Sequence, residues 1–387
     1  MKKLKIAFLS TYPPQECGIA TFTYDLVNAI DKTHNNVETN IIAIEEKDRT
    51  YNFNNKVVFK IKDSDIETYM ESAEFINESD IEVVNIQHEF GLFGGESGSY
   101  IEYFVNALRK PIITTLHTVL TNPDELKKEI TRFLVEKSEK VIVLSKSAID
   151  ILRDSYKITK DNIILIHHGV PEYDNLSKED IKRKLGIENR FVLSTFGLIN
   201  PGKGIEYALY ALGDIKDKYP EILYLILGTT HPKVKRLYGE DYRNKLLKIV
   251  EELNLERNVV FVNKYLTKEE LIEYLIATDV YITPYINREQ ICSGTLAYAI
   301  GFGKAIISTP YLYAIDMLSA NRGILVDFKD SKSIAEALEK LIRDKNFLHE
   351  IERNAYELGK TMKWSNIAKQ YVNVFKEVIY SRKVQVA

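Results

Sequence analysis

The segment from Gly197 to Gly204 combines residue types that bind phosphate. It follows the apolar run FVLSTF, contains glycines and a proline, and ends in Lys203 just before an amphipathic stretch begins. Backbone N–H groups at a helix N-terminus carry partial positive charge, and a lysine adds a full charge beside them. The spacing therefore predicts a strand, a turn and a helix whose N-terminus binds phosphate.

The same residues match seven of the eight positions of the P-loop of nucleotide triphosphatases. Gly204 stands where that motif needs the serine or threonine hydroxyl that holds magnesium. No downstream aspartate at a strand end is evident for the metal. The dinucleotide fingerprint G-x-G-x-x-G is also missing after the first apolar run. A P-loop is therefore the less favoured interpretation, and a Rossmann dinucleotide site is not predicted.

A second helix start lies in the segment INREQICSGTLAYAIGFGKAIISTP, where Ser293 and Gly294 precede a helical stretch. We expect this helix N-terminus to point to the same place as Lys203, and the combination suits a pyrophosphate without a metal ion. Glu289 lies in the same loop. Because a carboxylate next to a pyrophosphate is electrostatically costly, Glu289 is expected to accept hydrogen bonds from sugar hydroxyls instead.

Other strand ends in the first half of the chain carry Gly18, His88 and His117. Gly18 suits either a close approach to a ligand or a plain turn before a helix. Histidines at two successive strand ends are as consistent with a polar substrate site as with structural roles. The pair His167 and His168 is a poor metal site, because neighbours in a strand point to opposite faces.

The triplet Asp63-Ser64-Asp65 resembles the D-x-D motif that holds manganese in one class of sugar transferases. It directly precedes the helical segment IETYMESAEFI, where Asp and Ser are common N-caps. The N-cap interpretation is favoured, and no metal site is predicted.

The overall composition limits the function classes. The chain has 387 residues, 45% of them hydrophobic, which favours two domains. Its 52 Lys and Arg against 55 Asp and Glu give a net charge of -3, so no nucleic-acid partner is expected. Cys17 and Cys292 cannot form a disulfide framework, and no export signal is evident, so we expect a cytoplasmic protein. No apolar stretch spans a bilayer, so membrane contact is expected to be peripheral at most.

Short apolar runs alternate with helical segments along the whole chain, which predicts an α/β fold with parallel sheets. A first series runs from KIAFLST to NIILIHHG, and a second series runs from FVLSTFG to RGILVDF. We therefore predict two doubly wound domains facing a cleft that holds the ligand. The predicted boundaries are 1–172, 173–363 and a C-terminal helix at 364–387. That helix carries one apolar stripe, which comprises Ile367, Tyr371, Phe375 and Ile379.

These loops, in this order, resemble the retaining glycosyltransferases of family 4, which have the two-domain GT-B fold. The resemblance covers the whole chain. It includes the loop at Gly18, His117 after PIITTLHT, and IHHGVP, which is similar to the family's N-G-V element. It also includes the glycine–lysine element formed by Gly197, Lys203 and Gly204, the acidic start of an E-x7-E element at Glu289, and the tail WSNIAKQY.

The resemblance implies transfer of a hexose from a nucleotide diphosphate sugar to a saccharide or lipid-linked acceptor, with retention at the anomeric carbon and no metal. GDP-mannose is slightly favoured over UDP-glucose as the donor, and the C-terminal helix is implied to cross back to the first domain. The implied catalytic residues are His117 near the sugar, Lys203 at the donor phosphates and Glu289 at the donor sugar. The implied donor-binding residues are Gly18, Gly197, Lys203, Tyr265 and Leu266 near the base, Glu289, Cys292, Ser293, Gly294 and Thr295.

Two positions depart from the family pattern. Leu198 replaces the usual arginine after the first glycine, which leaves Lys203 and helix dipoles to neutralise the leaving group. Ala297 occupies the position of the second glutamate, which usually accepts ribose hydroxyls. A nucleotide-sugar-binding protein or an inactive transferase therefore stays open as an alternative. A phosphorylase on the same fold is disfavoured, because it needs a lysine for pyridoxal phosphate and usually a longer chain. The acceptor and the oligomeric state are not predicted.

Overall fold

The computed structural model describes residues 3–173 and 176–386. Its strands are β1 (Leu4–Ser10), β2 (Val37–Glu45), β3 (Val57–Lys62), β4 (Val83–His88), β5 (Ile112–Leu116), β6 (Lys140–Val143), β7 (Ile163–Leu165), β8 (Phe191–Phe196), β9 (Ile222–Leu227), β10 (Val259–Val262), β11 (Val280–Thr283), β12 (Ala305–Ser308) and β13 (Ile324–Leu325). Each predicted apolar run forms a strand, because continuous apolar residues bury both faces of a parallel sheet.

The helices alternate with these strands. They are α1 (Gly18–Thr33), α2 (Ile66–Glu78), α3 (Ile101–Ala107), α4 (Glu125–Lys137), α5 (Lys146–Asp154), α6 (Lys178–Lys184), α7 (Ile205–Ile215), α8 (Pro232–Tyr238), α9 (Asp241–Glu252), α10 (Lys268–Ala277), α11 (Gly294–Gly301), α12 (Leu312–Leu318), α13 (Ser331–Arg343), α14 (Lys345–Thr361) and α15 (Trp364–Val386). Two short 3-10 turns, Glu96–Gly98 and Pro201–Lys203, precede α3 and α7. The N-cap interpretation of the D-x-D triplet is confirmed for Asp65, whose carboxylate accepts a hydrogen bond from the Glu67 N–H at the start of α2.

The first compact unit comprises the described residues of 1–169 and 362–387. Its parallel sheet has the order β3-β2-β1-β4-β5-β6-β7. The strand order reverses between β1 and β4, and in doubly wound sheets a ligand binds outside the carboxyl ends of the strands at such a point. The loops after β1, β4 and β5 therefore form the candidate ligand-binding end of this unit.

The C-terminal helix α15 belongs to the first unit and packs along α1. The stripe of Ile367, Tyr371, Phe375 and Ile379 is buried, as its spacing predicts. The Phe375 ring meets the Phe8 ring of β1 edge to face at 5.9 Å between centroids. The helix thus covers one face of the sheet.

The second compact unit comprises the described residues of 170–361. Its parallel sheet has the order β10-β9-β8-β11-β12-β13, so the strand order reverses between β8 and β11. The apolar face of α7 packs on this sheet and against α13. Both units are doubly wound and Rossmann-like, as predicted from the alternation of apolar runs and helical segments.

None of the helices in the described part of the chain has an apolar stretch of the length and composition needed to cross a membrane.

Candidate functional site

The carboxyl ends of β8 and β11 approach each other closely in the second unit. Gly204 has a left-handed backbone with φ +59°, and a Cβ at this position would lie 2.2 Å from the Pro284 carbonyl oxygen. The Ile286 N–H donates to the Gly202 carbonyl oxygen at 3.0 Å. Only glycine fits at residue 204, because both its backbone conformation and the neighbouring carbonyl exclude a side chain. The phosphate-type turn is therefore held against the strand end at the switch point.

Lys203 lies at the end of the short turn before α7 and is partly exposed. Its Nζ donates to the Tyr285 hydroxyl at 2.8 Å and lies 4.4 Å from the centroid of the same ring. Burial raises the pKa of the Tyr285 hydroxyl, but the charge and the hydrogen bond of Lys203, together with hydrogen bonds to Thr295 and Ser293, outweigh burial, so the net pKa is lowered. Tyr285 thus holds the ammonium group at the mouth of the turn.

The hydroxyl of Tyr285 also connects Lys203 to the N-terminus of α11. It lies 2.8 Å from Thr295 Oγ1, which in turn lies 3.1 Å from Ser293 Oγ. Ser293 is the N-cap of α11 and accepts from the Leu296 N–H at 3.2 Å. A Cβ on Gly197 would lie 3.2 Å from the Thr295 methyl carbon. The structure therefore brings Gly197, Lys203, Ser293 and Thr295 together, at a point where an anion meets one ammonium group and one helix N-terminus.

The rest of the β11–α11 loop contains Glu289, Cys292 and Gly294. Glu289 is partly buried, and its backbone N–H donates to the Asn287 side chain at 3.1 Å. Burial raises the pKa of the Cys292 thiol to about 12, so this thiol stays protonated at neutral pH. Cys292 contributes its backbone carbonyl oxygen, which accepts from the Gln290 side chain at 3.0 Å. Gly294 is the first residue of α11.

Ala297 occupies the position of the second glutamate of the family pattern. The family pattern suggests that a carboxylate at this position would grip ribose, but the Ala297 side chain is fully buried in the described structure. The other residues of α11 from Leu296 to Gly301 are buried as well, so a glutamate at residue 297 would have to displace buried neighbours.

Tyr265 and Leu266 lie in the loop between β10 and α10, and Tyr265 is 50% exposed. In the sheet order β10 is two strands from β8, which separates these two strands by about 10 Å. The two groups of residues therefore occupy separate parts of the same sheet edge.

In the first unit, Gly18 begins α1 directly after the loop from β1. The Cys17 thiol caps this helix by accepting from the Ala20 N–H at 3.2 Å. A Cβ on Gly18 would meet no atom within 4 Å, so open space faces this residue. The geometry allows a ligand to approach but does not by itself require glycine.

His117 follows β5 and is only partly buried. Its Nε2 lies 2.8 Å from Gln87 Oε1, and its ring meets Phe22 edge to face at 4.8 Å. Burial, and then the neighbouring His168 and His88, lower the pKa of His117 to about 3. The imidazole is therefore neutral near pH 7.

The other histidine at a strand end is His88. It is the last residue of β4 and is completely buried, with its ring between Phe90 and Phe93. Neither ring nitrogen has a hydrogen-bond partner among the described residues, and burial lowers its pKa to about 3. Of the two histidines at successive strand ends, only His117 remains a candidate for contact with a substrate.

No group of three His, Cys, Asp or Glu side chains suited to hold a metal ion occurs in residues 3–173 and 176–386. His168 is buried, and its Nδ1 pairs with the Gly169 carbonyl oxygen at 2.7 Å. This contact gives His168 a structural partner.

No role was predicted from the sequence for Tyr285 or for Gln87, although Gln87 directly precedes the strand-end residue His88. Tyr285 follows the apolar run of β11, and Gln87 is a polar residue inside the run of β4. A polar group at the carboxyl end of a strand beside the switch point is the signal that could have identified both.

Comparisons with known proteins agree with this architecture. The family described as glycosyltransferase family 4 matches residues 17–172, and the family described as glycosyl transferases group 1 matches residues 177–358. An uncharacterized glycosyltransferase of Methanocaldococcus jannaschii is 25% identical, over 96% of this chain and 98% of its own length. D-inositol 3-phosphate glycosyltransferase of Corynebacterium glutamicum is 23% identical, over 71% of this chain and 69% of its own.

Solved structures show the same fold at low sequence identity. Sucrose-phosphate synthase of Thermosynechococcus elongatus superposes with a TM-score of 0.77 at 17% identity, covering 98% of this chain and 100% of that one. HepE of Anabaena, in complex with UDP and glucose, gives a TM-score of 0.74 at 15% identity, covering 97% and 100%.

Proposed function

Because the chain belongs to the group 1 glycosyltransferases of family 4 and has the GT-B fold, we propose that it transfers a hexose from a nucleotide diphosphate sugar to an acceptor hydroxyl. The acceptor is a saccharide or a lipid-linked sugar. The transfer retains the configuration at the anomeric carbon and needs no metal ion. GDP-mannose is the first donor to test and UDP-glucose the second.

One observation carries the proposal. Lys203 and the N-terminus of α11 are joined through the hydroxyls of Tyr285 and Thr295 at the switch point of the second sheet. A donor diphosphate bound there meets a full positive charge and free N–H groups, which replace the charge of a metal ion. The same groups stabilise the negative charge that develops as the diphosphate leaves.

The proposed reaction breaks the bond between the anomeric carbon and the donor phosphate oxygen. The acceptor hydroxyl oxygen forms its new bond on the same face, and its proton passes to the departing phosphate oxygen. No carboxylate nucleophile is needed in this scheme. In the same proposal, Glu289 accepts hydrogen bonds from hexose hydroxyls, and Tyr265 and Leu266 contact the base.

The proposal is tested by incubating the protein with GDP-mannose or UDP-glucose and a panel of sugar and lipid-linked acceptors, with and without EDTA. The product configuration is read by NMR. A retained product that forms in EDTA is expected. An inverted product or loss of activity in EDTA contradicts the mechanism, and donor binding without turnover supports the alternative of a nucleotide-sugar-binding protein.

Lys203→Ala tests the proposed phosphate site directly. We expect it to raise the barrier by about 2–4 kcal/mol, comparable to the loss of one oxyanion donor. Lys248→Ala is the control, since Lys248 lies on α9 in an exposed ion pair with Glu252. Equal rates for the two variants would contradict the phosphate site.

A further inference from the structure

We propose that Gln87 sets the protonation pattern of His117, with the proton on Nε2 and the lone pair on Nδ1, so that the one acceptor that the ring offers suits a hydroxyl and not an anion. The assignment of the proton rests on contacts within the first unit alone. The identification of the hydroxyl as a sugar hydroxyl rests on the proposed function.

The backbone carbonyl oxygen of Ile113 can only accept a hydrogen bond, and it therefore fixes the orientation of the Asn85 side chain. Asn85 Nδ2 lies 3.0 Å from the Ile113 carbonyl oxygen, so the amide nitrogen of Asn85 must face it. The carbonyl oxygen of the Asn85 side chain then faces the Gln87 side-chain nitrogen, which donates to it. Asn85 and Gln87 are both completely buried, so water does not offer either amide another partner.

In this orientation Gln87 can only accept a hydrogen bond from His117. With its nitrogen turned to Asn85, Gln87 presents Oε1 to His117 Nε2 at 2.8 Å. An amide oxygen cannot donate, so Nε2 must carry the proton. If either amide were reversed, two carbonyl oxygens or two N–H groups would face each other in a buried site, which is strongly unfavourable.

Thr115 is compatible with the same orientation. Its Oγ1 lies 3.2 Å from Asn85 Nδ2 and 3.4 Å from Gln87 Nε2, both of which are donors. The hydroxyl of Thr115 is then free to donate to the Tyr371 hydroxyl of α15 at 3.3 Å. Thr115 adapts to the two amides but does not decide their direction.

The surroundings of His117 keep its imidazole ring neutral. The groups around His117 are the neutral Gln87, the buried His88 and His168, and the Phe22 ring, and burial keeps the pKa of the imidazole low. A neutral imidazole with its proton on Nε2 offers a single acceptor, Nδ1. A hydroxyl can donate to it, whereas a phosphate or carboxylate oxygen repels its lone pair.

The test uses the full-length protein with 15N-labelled histidine and two-bond proton–nitrogen correlation spectra, which distinguish a protonated from an unprotonated ring nitrogen. The signals of His117 are identified by their loss in His117→Asn. We expect Nε2 to be protonated and Nδ1 unprotonated over roughly pH 5–8. A proton on Nδ1, or an imidazolium at pH 7, overturns the proposal.

Three variants test the role of Gln87. Gln87→Glu places a carboxylate beside the ring, and the pKa of His117 should rise by about one to three pH units. Gln87→Met removes the acceptor, and the His117 signals should shift toward a mixture of the two neutral forms. Thr115→Val is the matched control and should leave the proton on Nε2. Unchanged His117 signals in both Gln87 variants would show that another group sets the proton.

The NMR test of His117 and the transfer assay can fail independently of each other. If the protein shows no transfer, the spectra still decide the state of His117. If transfer occurs while Nδ1 carries the proton, the inference fails and the proposed function stands.

Discussion

The proposed donor side of the candidate site includes a tyrosine for which no role was predicted from the sequence. The hydroxyl of Tyr285 accepts from Lys203 and pairs with Thr295, so one oxygen orients both the cation and the first turn of α11. Because Leu198 stands where the family pattern suggests an arginine, the position of the Lys203 ammonium group matters more for the proposed phosphate site. Tyr285 is therefore a positioning residue in the proposed mechanism.

Tyr285→Phe tests this role at the scale of one oxygen atom. A hydrogen bond to a charged group contributes about 1.5–3 kcal/mol, so we expect the transfer rate to fall roughly 10- to 100-fold. Tyr313→Phe is the matched control, because the Tyr313 hydroxyl is buried and has no hydrogen-bond partner among the described residues. Steady-state kinetics of the two variants provide the comparison, and similar rates would show that Lys203 does not need the tyrosine.

Ala297→Glu tests the packing of α11. Because the Ala297 side chain is fully buried, the carboxylate would lack both water and an obvious cationic partner. We expect the free energy of unfolding to fall by about 3 kcal/mol or more, whereas Ala297→Gly should cost only about 1 kcal/mol. Chemical denaturation measures both values. A stable glutamate variant that binds free GDP or UDP more tightly would instead restore the idea that this position faces ribose.

At the scale of the element, α15 is an integral layer of the first unit. Trp364, at its start, lies so close to Gly169 that a Cβ on the glycine would be 2.1 Å from the indole ring. The Trp364 and Phe22 rings meet at 5.3 Å between centroids, and Phe22 also contacts His117. The helix therefore supports the elements that hold His117.

Phe375→Ala and Tyr380→Ala separate packing from surface effects on α15. Phe375 is completely buried against Phe8, so its loss should lower the free energy of unfolding by about 3–5 kcal/mol. Tyr380 is 73% exposed, and its loss should change stability by no more than about 0.5 kcal/mol. Thermal and denaturant unfolding of the two variants decide the point. Equal stabilities would mean that α15 does not stabilise the first unit.

At the scale of the whole molecule, the buried histidines of the first unit link stability to pH. The pKa values of His88, His117 and His168 are all lowered, in each case first by burial. At His168 the hydrogen bond to the Gly169 carbonyl, and then Asp25, oppose this effect. In the unfolded chain these histidines take up protons as the pH falls through their ordinary pKa of 6.5, whereas in the folded protein they are still neutral at that pH. Stability should therefore be highest above this pH and fall as the pH drops below it.

Each such histidine makes the free energy of unfolding fall by about 1.4 kcal/mol for each pH unit below its ordinary pKa and above its pKa in the folded protein. His88→Met should reduce the slope by the share of one histidine, because His88 is buried without a hydrogen-bond partner in the described structure. Unfolding free energies measured at several pH values between roughly 4 and 7 test this. An unchanged slope in the variant would show that His88 takes up its proton in the folded state.

The sequence by itself determined the order of strands and helices. Continuous apolar runs such as those of β1 and β8, and the apolar stripe of α15, are local patterns that specify burial without knowledge of neighbours. The turn from Gly197 to Lys203 was also identifiable, because its glycines and lysine are adjacent in the chain. The family resemblance, which the family comparisons confirm, depends on the same local segments.

Only the tertiary structure decided which side chains meet. Lys203 and Tyr285 are 82 residues apart, and Gln87 and His117 are 30 apart, so no local pattern connects them. The tertiary structure likewise placed His88 and Ala297 in the interior, because the exposure of a strand end or a helix face depends on what packs against it. Periodicity indicates that a segment is buried on one side, but contacts between distant strands determine the chemistry at its end.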